Sequence, residues 1–81
     1  MTLHTYRLTA DYIELNQLLK FLGLASSGGG AKALIGGGGV DVDGVKELRI
    51  RRKLRAGQQV RIDGHEIEIL PPGENDEMDR T

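Results

Sequence analysis

The 81-residue chain has no cysteine and no tryptophan, and only two prolines, two histidines and three aromatic side chains, Tyr6, Tyr12 and Phe21. Without cysteine there are no disulfide staples and no thiolate metal sites, so so short a chain depends on its own apolar contacts. Two histidines do not make the four nitrogen or sulfur ligands of a structural zinc site, and no metal is expected. Three scattered aromatics give no stacking platform of the kind single-strand binders use. No run approaches the ~18 consecutive apolar residues of a membrane span. The start, Met1-Thr2-Leu3-His4-Thr5, lacks the charged-then-apolar build of a secretory signal, so the expected location is the cytoplasm, with no membrane partner. At roughly 150 residues per domain, the length predicts one small soluble domain and no cleft between lobes.

What is present is charge, unevenly placed. The formal net charge is −1, yet residues 74–81 carry −3 and residues 1–73 carry +2. Within the latter, Lys46, Arg49, Arg51, Arg52, Lys53 and Arg55 stand against Glu47 alone, a local sum of +5. That density in a near-neutral chain points to an anionic partner, nucleic acid first; a solvated strand face is the plainer reading.

Hydrophobic spacing sorts the chain into elements. Leu3 to Thr9 alternates enough for a short leading strand or an extended arm, so residues 1–11 are read as that. From Tyr12 the period changes, and Leu15, Leu18, Leu19 and Leu22 fall on one helical face that Gly23 ends as a C′ residue. Ser27 then sits at an N-cap position before Ala31, Leu34 and Ile35, which predicts a second helix. Gly28, Gly29 and Gly30 each cost it about 0.8–1 kcal/mol relative to alanine, so the alternative is a loose glycine loop with the helix starting near Ala31. Gly36 to Gly39 ends it.

Beyond residue 40 the period is two. Val40 and Val42 lead into Asp43-Gly44, a hairpin signal, and Val45 returns. Leu48, Ile50 and Leu54 share one parity and Arg49, Arg51, Lys53 and Arg55 the other; an extended segment 48–55 would therefore send four cations to one face, with Arg52 alone out of pattern. Ala56-Gly57 reads as a turn, Val60 to Asp63 as a strand, Asp63-Gly64 as a second hairpin, and Glu66 to Leu70 as its partner with Ile67 and Ile69 inward. The expected fold is α+β, two packed helices followed by a small antiparallel sheet of short strands across residues 12–70. Residues 71–81, opening with Pro71-Pro72-Gly73, are expected to be an acidic, disordered tail. Such a tail is a solubilising end, or else a competitor folding over the basic segment.

The residues exclude most chemistry. Gly30-Ala31-Lys32-Ala33 has neither the Ser or Thr of a phosphate loop nor the earlier glycine at the required spacing. Gly28, Gly30 and Ala33 satisfy a dinucleotide fingerprint only outside the strand–turn–helix setting that gives it meaning. His4 and His65 have no evident third partner for nucleophilic catalysis, and Asp41 and Asp43 read as a solvent face. No enzyme activity, catalytic residue or cofactor is expected. What remains is a helix N-terminus of bare backbone next to a ladder of cations; unsatisfied N–H groups and the helix dipole favour phosphate there, with Lys32 one turn in to add a charge.

In residue order the chain resembles the S4 RNA-binding domain family, from about Tyr12 to Leu70. The likeness is carried by Leu18-Leu19, Leu24-Ala25-Ser26-Ser27, Ala31-Lys32-Ala33-Leu34-Ile35, Gly38-Gly39-Val40-Asp41-Val42-Asp43-Gly44 and Ala56-Gly57. It departs where many S4 domains have a basic residue opening helix one, an Arg after the serine and an acid two residues on; here stand Glu14, Gly28 and Gly30. It is more similar to stand-alone bacterial S4-like proteins in Ile13-Glu14-Leu15, Leu18-Leu19-Lys20, Ser27-Gly28, Ala31-Lys32 and the alternation Glu47, Arg49, Arg51, Lys53. The resemblance implies an L-shaped helix pair (the alpha-L motif) lying against structured RNA, ribosomal or transfer, and a ribosome-associated role. Arg49, Arg51, Lys53 and Arg55 are expected to bind phosphates with Lys32 and the amides of Gly28, Gly29 and Gly30 behind Ser27, while Lys20 and Arg52 contribute less directly. A-form RNA hides its base edges in a deep major groove, so recognition would be by shape and phosphates. The alternative is a protein-interaction or ribosome-assembly adaptor using the same basic surface. A monomer is expected.

Overall fold

The computed structural model describes residues 2–73; the acidic segment 74–81, and the reading of it as a disordered or competing tail, lie outside the described residues. The elements in chain order are β1 (Thr2–Arg7), β2 (Ile13–Glu14), α1 (Leu15–Phe21), α2 (Gly28–Gly36), β3 (Val40–Val42), β4 (Val45–Lys46), β5 (Lys53–Leu54), β6 (Gln59–Ile62) and β7 (His65–Leu70).

The first helix begins at Leu15, the first of the spaced leucines and three residues after the change of period at Tyr12. Tyr12 to Glu14 is extended, and Ile13 and Glu14 pair antiparallel with Leu54 and Lys53. Glu14 instead serves as N-cap, its N–H donating to Gln17 Oε1 at 3.2 Å. Leu15, Leu18 and Leu19 are fully buried. Gly23 takes the left-handed conformation, φ 74°, that a side chain would resist. The next two residues are then drawn back, Leu24 and Ala25 N–H both donating to the Leu19 carbonyl at 2.9 and 3.2 Å. Ser27 is extended and its Oγ accepts from Gly30 N–H at 3.1 Å, so the three glycines are the first turn of α2, not a loose loop. Ala31 and Ile35 bury the helix against α1 and the sheet.

Both Asp-Gly pairs make the hairpins their composition predicts. Asp43 and Gly44 have φ of 52° and 81°, Asp63 and Gly64 of 45° and 80°, the doubly left-handed turn that matches strand twist. The main sheet has the order β1-β7-β6-β3-β4. Its strands are antiparallel except for β1, which lies parallel to β7 with Thr2 opposite His65 and Arg7 opposite Leu70. The sheet is thus mixed rather than wholly antiparallel, because the leading segment returns to the last strand. Val40, Val42, Val60, Ile62, Ile67 and Ile69 face the helices and, with Leu8, Leu54 and the α1 leucines, form one core.

The expected strand across 48–55 is the principal correction. Only Lys53 and Leu54 are strand, paired with β2 in a separate two-stranded sheet; residues 47–52 form a loop turning at Ile50–Arg51. The cause is the start of α1, whose free N–H groups need acceptors. Leu15 N–H donates to the Arg52 carbonyl at 2.8 Å and Asn16 N–H to the Ile50 carbonyl at 3.1 Å. The first bond extends the β2–β5 register by one step and the second falls out of it, so the ladder ends where α1 begins and the Ile50 carbonyl caps the helix. Ile50 and Leu54 still pack inward, but Leu48 is 56% exposed, so the inward parity fails at that residue.

Candidate nucleic-acid interface

The loop that replaces the expected strand is built around one carboxylate. Glu47 continues the β3–β4 hairpin, its N–H donating to the Val40 carbonyl at 2.9 Å, and its side chain is buried. Its Oε2 accepts from Arg49 N–H at 2.9 Å and Arg49 Nε at 3.0 Å. Its Oε1 accepts from Arg49 Nη2 at 3.2 Å and from Arg52 Nη1 at 2.8 Å. Arg52 departs from the alternation because it points inward to this acid, and its side chain is largely covered.

The hydrogen bond from the Arg49 side chain, opposed by burial and aided by the Arg49 N–H, the Arg49 charge and Arg52, lowers the Glu47 pKa from 4.5 to about 2. The same bond raises the Arg49 pKa. With a folded pKa below its unfolded value, Glu47 contributes stability that is complete above about pH 4.5 and fades as pH falls through about 2. In urea titrations the difference between wild type and Glu47→Gln is therefore expected to be constant from neutral pH down to about 4.5 and to shrink toward pH 2. A difference unchanged at the acid end would contradict the clamp.

Around this acid the loop gathers cations without a strand. Arg49, Arg51, Arg52 and Lys53 line one open concavity. Arg51 is well exposed and its Nε lies 3.3 and 3.4 Å from the two Glu14 oxygens, so the N-cap of α1 steadies it. Lys53 Nζ is 5.0 Å and Arg55 Cζ 5.5 Å from the centre of the Tyr12 ring, a cation–π pair that extends the basic surface beyond the loop. Five predicted cations are thus brought together, by a capped loop and a short ladder.

The other predicted residues form a second group. Lys20 is exposed in the last turn of α1, and Ser27, Gly28, Gly29 and Lys32 are exposed at the start of α2. Among the described residues no hydrogen bond or ion pair joins them to the loop. The Gly30 N–H is already held by Ser27 Oγ, which leaves the Gly28 and Gly29 amides as the outward donors of that helix end. Sequence reading missed Glu47, Glu14 and Tyr12. Arg52 breaking the alternation beside the single acid of the stretch was the available sign of the first. His4 and His65 meet across β1 and β7, Nε2 to Nδ1 at 3.1 Å, and among the described residues no group of three or more His, Asp or Glu is placed to hold a metal.

The family model described as the S4 domain matches residues 6–70. The chain belongs to the S4 domain family. It is 44% identical over 59 residues, 73% of this chain and 84% of the relative, to "Putative RNA-binding protein YbcJ" of Escherichia coli (strain K12). The same figures hold for "Uncharacterized protein YbcJ" of Shigella flexneri. The solution structure of E. coli YbcJ, described as revealing an alfaL motif involved in RNA binding, superimposes with a TM-score of 0.66 at 39% identity, covering 86% of this chain and 90% of that one. The S4 domain here is thus an α+β alpha-L fold of two helices and a small mixed sheet.

Proposed function

We propose that this S4-domain chain is a non-catalytic protein that binds structured RNA, ribosomal or transfer, through phosphate contacts. The observation that carries the reading is the concavity lined by Arg49, Arg51, Arg52 and Lys53, four cations facing one opening beside Tyr12 and Arg55. Family membership and the RNA-binding description of YbcJ support it. The Gly28 and Gly29 amides, Ser27 as cap, and Lys32 and Lys20 supply a second set of contacts, because a helix N-terminus without side chains admits a phosphate closely. Among the described residues no helix is long and apolar enough to cross a membrane, and the proposed setting is the cytoplasm, as a monomer.

The test is a salt titration of binding to a purified structured RNA. Neutralising about five phosphates gives a log–log slope of affinity against salt of roughly −3.5 to −4.5. A flat response would remove the phosphate mechanism. Pull-down of acidic ribosome-associated proteins in parallel separates the adaptor reading, which requires protein binding that survives when RNA is digested.

Gly29→Ala probes the second contact set. A Cβ there meets only Ser27 Oγ at 3.9 Å, so the fold is expected to hold or gain about 0.4–1 kcal/mol from reduced unfolded-state freedom. RNA affinity is expected to fall, because the methyl stands where a phosphate would approach. Denaturant unfolding and anisotropy on the same sample check both halves.

A further inference from the structure

Among the described residues Glu47 is the one charged side chain that is buried, and it sits beneath a surface proposed to meet a polyanion. An acid in that position weakens attraction for phosphate unless it does something else. Its contacts indicate what. The main chain of Glu47 is tied to β3 through the Val40 carbonyl, and its two oxygens take four bonds from Arg49 and Arg52. Arg49 spends its Nε edge on the acid while its side chain stays 72% exposed, leaving the Nη1 edge turned to solvent. Arg52 is fixed at both ends of its guanidinium, Nη1 on Glu47 and Nε on the Lys53 carbonyl at 3.4 Å, with Nη2 free.

We propose that Glu47 is the positioning residue of the interface: its carboxylate holds the Arg49 and Arg52 guanidiniums in fixed orientation, so that their free edges, with Arg51 and Lys53, form a seat for successive phosphodiester groups of structured RNA. The inference rests on the RNA-binding reading of this loop. The physical reason is pre-organisation. A free arginine loses rotamer entropy when it captures a phosphate, whereas one already locked by a rigid carboxylate has lost it on folding. The planar fork also matches phosphate oxygens only in the orientation the carboxylate imposes.

The positioning role and simple charge give opposite signs. Glu47→Gln raises the local charge of the Lys46–Arg55 stretch from +5 to +6, so electrostatics alone tightens RNA binding. Loss of the clamp weakens it. The experiment measures anisotropy of a labelled RNA hairpin of about 16 base pairs against wild type, Glu47→Gln and Arg49→Lys, with circular dichroism melts of each. Both variants are expected to bind about tenfold more weakly near physiological salt, since Lys keeps the charge but has no fork. In the free protein the Arg49 Nε–H is expected to exchange with water more slowly than that of Arg55. If Glu47→Gln melts early, Arg49→Lys decides, because it leaves Glu47 a charged partner. Wild-type binding with Arg49→Lys unchanged, or folded Glu47→Gln as tight or tighter, overturns the positioning role alone. No binding by wild type removes the RNA reading, and the seat with it.

Discussion

Arg51→Glu combined with Lys53→Glu is expected to reduce affinity for structured RNA by at least about 100-fold near 0.1 M salt, since hydrogen bonds to charged groups are worth about 1.5–3 kcal/mol each and about 1.4 kcal/mol is tenfold. These two are chosen because both line the concavity, Arg51 from the loop and Lys53 from β5, and neither is bound to Glu47, so the clamp survives their replacement. Removing two phosphate contacts should also flatten the salt slope by about 1.8, at 0.9 per phosphate. Both side chains are exposed and the core is untouched, but the new carboxylates face Glu14 where an ion pair stood, so the melting temperature is expected to fall by several degrees with the chain still folded. A double variant that binds RNA like wild type, with the same slope, would place the interface elsewhere on the molecule.

Leu19→Ala is the substitution expected to cost most in stability, about 2–5 kcal/mol, because it removes a fully buried side chain and leaves a cavity between the helices. The position is doubly placed. Its side chain packs in the core, and its carbonyl anchors the turn to α2 through Leu24 and Ala25. Against a total of about 5–15 kcal/mol for a domain, the loss leaves a marginal or unfolded chain. Urea unfolding reads the effect directly, and a shift under about 1 kcal/mol would mean that the helix pair is not seated on this leucine.

How much of this was legible beforehand depends on the range of the interactions. The leucine face of α1, the Ser27 cap and the two Asp-Gly hairpins are set by residues within a few positions of one another, and each reads directly. The parallel partner of β1 does not, since Thr2 meets His65 across nearly the whole chain. The segment 48–55 shows the limit most clearly. Its alternation satisfies the strand rule, yet pairing with β2 runs only from Leu54 to Arg52, and the Ile50 carbonyl is taken by the Asn16 N–H at the start of α1, leaving residues 47–52 a loop.

Local composition therefore determined the helices, the turns, the charge of the basic stretch and the kinship with S4 domains. Tertiary structure decided how those cations are presented. Helix-end donors far away in sequence took up the loop's acceptors, and a single buried carboxylate turned two of its arginines toward itself. Periodicity reports only which way side chains would point if the backbone were free to run straight, and here unsatisfied hydrogen-bonding groups on another element outweighed that preference.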